Sequence, residues 1–153
     1  FVVFASGVAH RMTEHVYRSP EKTFELGEKI GNSLEGGEIV LLSGGLGAGK
    51  TLLTKGIMNA LDFDIDDVTS PSFTLVNLYK AKFDVYHIDL WRIADGVDAA
   101  AAVGLDEILE NEKAVVVIEW AERLKRESFA SKVIRVTIKG DGDEIRQIGV
   151  NYG

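Results

Sequence analysis

Gly44-Gly45-Leu46-Gly47-Ala48-Gly49-Lys50-Thr51 matches the phosphate-loop pattern G-x-x-x-x-G-K-[ST] at every fixed position. Each residue type in it suits an anion. Glycines admit positive φ and let main-chain N–H groups approach phosphate oxygens. Lys50 supplies a point charge for β and γ phosphates, and the Thr51 hydroxyl is a ligand for Mg²⁺. A glycine-rich turn that merely precedes a helix is the competing reading. Context argues against it: the apolar run 38–43 ahead reads as a buried strand, and residues 51–61 behind carry apolar side chains at helical spacing. A helix start there adds free N–H donors and the positive end of the helix dipole.

A phosphate loop needs an acid beside it. In the Walker B arrangement a strand-end carboxylate holds Mg²⁺ directly or through water. Two residues qualify. Asp89 ends the strand-like run 82–89, and Glu119 ends the aliphatic run Ala114-Val115-Val116-Val117-Ile118-Glu119. Glu119 has the more typical aliphatic approach. Without the loop, either acid would read as a partnered surface carboxylate. Between loop and acids, Val68-Thr69-Ser70-Pro71-Ser72-Phe73-Thr74 is dense in hydroxyls around a proline. It fits a switch that senses the γ-phosphate and fits equally a plain turn into a strand over residues 73–79.

The remaining elements must place these groups. Ser19 as N-cap, Pro20 at the first helical position and Glu21 in the first turn start a helix. Phe24, Gly27, Ile30, Gly31 and Leu34 share its face, the small glycines implying close packing, and Gly36-Gly37 ends it. Residues 62–67 form an acidic connection that reads as a solvated loop. Residues 80–82 read as the turn between two strands, 105–110 as a short helix and 121–126 as helical. Strands are expected over 132–139 and 144–150, with Gly140-Asp141-Gly142-Asp143 as a tight hairpin. No repeat or low-complexity linker interrupts the chain. One α/β domain over residues 1–153 accounts for it.

Bulk properties narrow the function. At 153 residues, 46% hydrophobic and 27% charged, the chain has the size and balance of one globular domain. A net charge of −7 disfavours broad binding to nucleic acid or anionic membrane. The absence of cysteine excludes disulfides and thiolate sites and suits a cytoplasmic protein. No apolar run approaches a membrane span. Residues 1–11 read as a non-native remnant ahead of a natural start at Met12, or as a short N-terminal strand.

Guanine-specific switches carry N-K-x-D and D-x-x-G; neither spacing occurs here, so ATP is expected over GTP. Small-molecule kinases with this loop need an arginine-rich lid. The arginines after the loop are scattered at 92, 123, 126, 135 and 146, and no segment reads as a lid. A compact ATPase that signals to a partner fits better, with a small-molecule P-loop kinase as the alternative.

Taken together, residues 44–51, Ser70-Pro71-Ser72-Phe73-Thr74-Leu75, His87-Ile88-Asp89-Leu90-Trp91-Arg92 and Ile118-Glu119-Trp120 resemble, in type and order, the TsaE family, formerly called YjeE. The resemblance spans roughly residues 20–125. It implies a three-layer P-loop NTPase-like sandwich with a mixed β-sheet. It also implies an ATPase accessory to threonylcarbamoyladenosine modification of transfer RNA, slow alone and stimulated by partners. The partners so implied are TsaD and TsaB, with transfer RNA met only through their complex and no membrane involved. Carried over by position, Lys50, Asp89 and Glu119 are the catalytic residues, and Thr51 and Glu119 the Mg²⁺ ligands. Gly44, Gly45, Leu46, Gly47, Ala48, Gly49, Lys50, Thr51, Ser72 and Trp120 contact the nucleotide. Two positions depart from the family pattern, which usually has an acid where Gly45 stands and threonine where Ser72 stands. Ser72 keeps the hydroxyl; Gly45 lacks the carboxylate.

Overall fold

A run of aliphatic residues without alternation belongs in a sheet covered on both faces. Strands β4 (Ile39–Gly44) and β7 (Val115–Glu119) are such runs, and they pair in parallel at the centre of the molecule. The computed structural model describes residues 12–17, 19–45, 49–126, 128–140 and 146–153, together with the backbone of 3–5 and 8–10. Around the central pair, β8 (Val133–Lys139) joins β4 in parallel and β6 (Asp84–Asp89) joins β7 in parallel. Antiparallel strands finish both edges. Beyond β6 lies β5 (Val76–Lys80); beyond β8 lie β9 (Arg146–Asn151) and then β3 (Met12–Tyr17). The mixed sheet thus has seven strands in the order β3-β9-β8-β4-β7-β6-β5. A separate two-stranded pair joins β1 (Val3–Ala5) to β2 (Val8–His10).

Period-two alternation sends each central strand's side chains to two different layers. Val40, Leu42, Val115 and Val117 face helices α1 (Pro20–Ser33) and α2 (Lys50–Ala60), where Leu26, Ile30, Leu53 and Ile57 complete that core. Ile39, Leu41, Val116 and Ile118 face the other way, beneath Ala99 of α3 (Ala99–Val103) and Leu105 of α4 (Leu105–Leu109). The result is the α/β architecture expected, a mixed sheet between two helical layers.

The glycine face of α1 does what its composition implies. A β-carbon built on Gly27 would lie 2.2 Å from the Leu53 carbonyl oxygen, and one on Gly56 would lie 2.1 Å from that of Phe24. The two helices therefore cross backbone against backbone. The buried face itself is Thr23, Leu26, Gly27, Ile30 and Gly31, followed by Leu34, and Phe24 is only half-buried.

Several boundaries differ from expectation. Ser19 precedes the helix in extended conformation, but its hydroxyl makes no capping bond. The strand expected from Phe73 begins at Val76, because Leu75 takes φ 68° and its N–H bonds back to the Pro71 carbonyl. The segment 121–126 forms only a single 3-10 turn, Ala121–Arg123, after Trp120 enters the left-handed region at φ 58°. The acidic connection 62–67 contains one short turn, Ile65–Asp67. Residues 141–145 lie outside the described residues, yet β8 and β9 pair antiparallel on either side of them.

Replacing Gly56 with alanine tests the helix crossing. Helix propensity alone favours alanine by about 1 kcal/mol, so any net loss measures the clash with the Phe24 carbonyl. Gly56→Ala is expected to lower stability by about 1–3 kcal/mol, a fall of about 2–4 °C in Tm per kcal/mol for a chain this size. Thermal denaturation followed by circular dichroism reads it directly. A Tm equal to or above that of the parent would refute the close crossing.

Candidate functional site

Sheet register, and not sequence proximity, brings the two acids together. Glu119 is paired with Leu42 on β4 and with Asp89 on β6. The chain leaving β4 becomes the glycine loop, so that loop and both acids share the carboxyl ends of adjacent parallel strands. Ligands of open α/β sheets bind at that edge. Gly44 closes β4 and Gly45 follows it, and Gly49 takes φ 101° immediately before α2, a conformation that favours glycine. Leu46, Gly47 and Ala48 lie outside the described residues. Gly45 is exposed with open space where a β-carbon would stand, so packing does not forbid a side chain there.

Lys50 opens α2 and is 6% exposed. Its Nζ donates to the carbonyl oxygens of Gly44 at 2.7 Å and Gly45 at 2.8 Å, and sits 4.3 Å from the Trp120 ring centroid. Burial pushes its pKa below the ordinary lysine value, while the carboxylates of Glu119, Glu122 and Asp89 pull it back up. The ammonium is thus a partly desolvated cation held over the loop by neutral acceptors, the state in which it gains most from an anionic ligand.

Both acids are buried, and each of their carboxylate oxygens accepts one hydrogen bond. Thr51 Oγ1 donates to Glu119 Oε1 at 3.4 Å, and His87 Nε2 lies 2.5 Å from Glu119 Oε2. Asp89 accepts from the Trp91 N–H at 2.8 Å and from Ser70 Oγ at 3.1 Å, and Ser70 Oγ is 2.9 Å from Ser72 Oγ. A cleft of about 360 Å³ opens between these groups, lined by Gly49, Lys50, Thr51, Asp89, Glu119 and Trp120 among others. Its side-chain oxygens are hydroxyls of Thr51, Ser70 and Ser72 and carboxylates of Asp89 and Glu119. That is a donor set for a hard divalent cation. Among the described residues no three of His, Asp and Glu converge to hold a metal unaided. Mg²⁺ in phosphate sites is typically held by one or two carboxylates together with the phosphates, so the residues fit that ion alongside a nucleotide.

Each candidate from the sequence that lies among the described residues borders this cleft or the loop beside it. Sequence reasoning missed four others. His87 and Tyr79 support Glu119 from below. Trp91 stacks on Trp120 at 4.5 Å between ring centroids. Arg123 donates to the Ile93 carbonyl at 2.7 Å and covers both indoles at about 5.5 Å. The signal for His87 was its spacing: two residues before Asp89 on one strand, it must share that acid's face. Nothing in the linear pattern pointed to Tyr79 or Arg123.

Comparison with known proteins gives a consistent set. The family model described as threonylcarbamoyl adenosine biosynthesis protein TsaE matches residues 17–148. The tRNA threonylcarbamoyladenosine biosynthesis protein TsaE of Mycobacterium tuberculosis is 38% identical over 128 residues, covering 76% of each chain. The protein of the same name from Treponema pallidum is 34% identical over 135 residues, covering 88% of this chain and 97% of its own. Among solved structures, the crystal structure of Bacillus subtilus YdiB is similar with a TM-score of 0.72 and 28% identity, over 94% of this chain and 88% of that one.

The chain's two tryptophans both line the cleft, which supplies an internal reporter. When phosphates draw the Lys50 ammonium from the Trp120 ring, indole emission changes. Titrating ATP is expected to alter tryptophan fluorescence in the parent and in Trp91→Phe, and to leave Trp120→Phe nearly unchanged. An unaltered spectrum in the parent at millimolar ATP would exclude this placement of the nucleotide.

Proposed function

The chain belongs to the TsaE family of threonylcarbamoyl adenosine biosynthesis proteins, and from that premise we propose that it binds ATP with Mg²⁺ and hydrolyses it in support of that modification of transfer RNA. The observation that carries the reading is the convergence on one cleft of the Lys50 ammonium, the Thr51 hydroxyl and the carboxylates of Glu119 and Asp89. In this reading Lys50 exchanges its two carbonyl acceptors for phosphate oxygens. The Thr51 hydroxyl and Glu119 hold Mg²⁺, which when bound neutralises charge building on the β and γ phosphates.

Asp89 has the stronger claim to the attacking water. Glu119 has one oxygen on Thr51 and the other on His87, and in this reading it is also committed to Mg²⁺. Asp89 instead stands beside Ser70 and Ser72 on the cleft wall, with spare lone pairs on each oxygen. Hydrolysis forms a bond from the water oxygen to the γ phosphorus and breaks the bridge to the β-phosphate, giving ADP and phosphate. Little more than positioning and charge stabilisation is required of the protein. The Trp120 ring, held between neighbouring Trp91, Lys50 and Arg123, walls one side of the nucleotide.

The family resemblance supplies the partners we propose, TsaD and TsaB, with transfer RNA engaged only through their complex. The net charge of −7 favours protein docking over a direct grip on RNA. No described helix is long and apolar enough to cross a membrane, and we place the protein in the cytoplasm on the strength of the family role.

Mg²⁺-dependent phosphate release from ATP, measured with and without TsaB–TsaD and transfer RNA, tests the reading. Stimulation by the complex is expected, with Lys50→Ala or Glu119→Ala lowering turnover by about 10²–10³-fold, the usual cost of removing one charge-stabilising group. ATP should be used in preference to GTP. Absence of stimulation with partners shown to be active, or phosphate appearing on an acceptor in place of solution, would overturn it.

A further inference from the structure

Hydrogen bonds run without a gap from the head of α2 to the segment before β5. The Thr51 hydroxyl donates to Glu119 Oε1 at 3.4 Å. On the other carboxylate oxygen, His87 Nε2–H donates to Glu119 Oε2 at 2.5 Å. The second ring nitrogen, Nδ1, lies 2.9 Å from the Tyr79 hydroxyl. That hydroxyl is 3.0 Å from the Thr69 carbonyl oxygen and accepts from the Thr69 N–H at 3.3 Å. The next residue, Ser70, returns to Asp89 on the strand that carries His87. The two acids are therefore joined twice, once through β6 itself and once around a loop of side chains.

A histidine satisfied in a core needs no functional explanation by itself. His87 is 0% exposed, and the neighbouring positions that face the same layer, Val85 and Val117, are aliphatic. A hydrocarbon at 87 would pack there without requiring two partners. What only a donor can do is orient Glu119. Were His87 apolar, Glu119 Oε2 would lose the one described donor it has, and the carboxylate would be free to rotate. With His87 present, Oε2 is committed inward and Oε1 is left toward Thr51 and the cleft.

We propose that His87 is a positioning residue. It fixes the Glu119 carboxylate through one ring nitrogen and, through Tyr79, ties that orientation to the Thr69 backbone at the root of segment 70–74. The inference rests on the Mg²⁺–ATP reading of the cleft. Partners that orient a metal-binding carboxylate from behind are typically worth 10–100-fold in metal affinity. The tie to Thr69 adds a consequence: the grip on Mg²⁺ depends on a bond remote from the metal.

Two amide substitutions separate the roles of the two ring nitrogens. Gln in place of His87 sets an N–H near the position of Nε2 and keeps the donor to Glu119. Asn sets it near Nδ1, facing Tyr79, and leaves Glu119 without one. The readout is ATP affinity by calorimetry across a Mg²⁺ series and in EDTA, with Lys50→Ala as control. His87→Asn is expected to raise the half-saturating Mg²⁺ concentration by about 10–100-fold, and His87→Gln by less than about threefold. Tyr79→Phe, which removes one hydroxyl and keeps the ring packing, should raise it by about threefold to tenfold. In EDTA all three should bind ATP as the parent does. Equal shifts in the two amide variants, or no shift in Tyr79→Phe, would overturn the proposal even if His87→Asn failed to fold. A parent protein whose ATP binding ignores Mg²⁺ would instead remove the Mg²⁺ reading of the cleft, and the proposal with it.

Discussion

A carboxylate at the end of a fully aliphatic strand is costly to bury unless it is hydrogen-bonded. Glu119 is 3% exposed at the end of β7, and the local architecture follows from meeting that demand. Parallel pairing with β4 places the first turn of α2 above it, so the Thr51 hydroxyl becomes one donor. Parallel pairing with β6 places His87 two residues short of the facing position, near enough for the imidazole to become the other. The imidazole needs a partner in turn, and the antiparallel hairpin of β5 and β6 supplies it from Tyr79. Among the described residues no buried side-chain nitrogen or oxygen lacks a partner. The polar network is closed, the condition under which such networks add rigidity and not cost.

Charge in the cleft follows the same economy. One buried ammonium, on Lys50, faces two buried carboxylates, and none of the three is paired directly with another in a short ion pair. Lys50 rests on carbonyl oxygens and an indole face, while the acids rest on N–H and O–H donors. The cation is consequently available to an incoming anion and the acids to a cation. A lysine locked onto Glu119 would have neutralised the site against the ligands that its geometry suits.

How much of this was visible in the linear sequence follows from which interactions are local. The glycine loop, Lys50 and Thr51 are contiguous, and their context of strand and helix was legible from apolar spacing. Glu119 was legible because an acid closing Val115–Ile118 breaks an otherwise uniform run. The glycine face of α1 was legible because small residues at Gly27 and Gly31 recur at helical spacing. Boundaries failed where tertiary contacts override propensity: Phe73 has the side chain of a strand residue, yet it is 84% exposed in a turn and stacks with Arg92. The stretch 121–126 has helix formers, yet the left-handed Trp120 and the seat of Leu124 under the sheet stop it after one turn. His87 and Tyr79 went unseen because sheet register decides their partners, and Arg123 because its carbonyl acceptor, Ile93, lies 30 residues away.

Two non-glycine residues in the left-handed region border the acids, and their placement divides the cleft into a fixed and a yielding side. Trp120 follows Glu119 directly, and Leu75 accepts the Asp89 N–H with its carbonyl at 3.0 Å. Such conformations cost of order 1–3 kcal/mol and persist only where surroundings over-determine them. For Trp120 the surroundings are Trp91, Arg123 and Lys50, all packed on its ring. For Leu75 they are a turn bond to Pro71, the bond its carbonyl accepts from the Asp89 N–H, and the pairing of β5 that follows. Between Leu75 and Thr69 the chain is held to the site chiefly by hydroxyls, Ser70 to Asp89 and Tyr79 to Thr69, and it presents the exposed ring of Phe73 outward. Strand-borne acids and the stacked indole therefore form the fixed side of the cleft, against which the proposed nucleotide phosphates would lie. The hydroxyl-rich segment opposite buries Pro71 but otherwise presents mostly exposed or half-buried side chains, so fewer packed contacts hold it than hold the strand-borne acids.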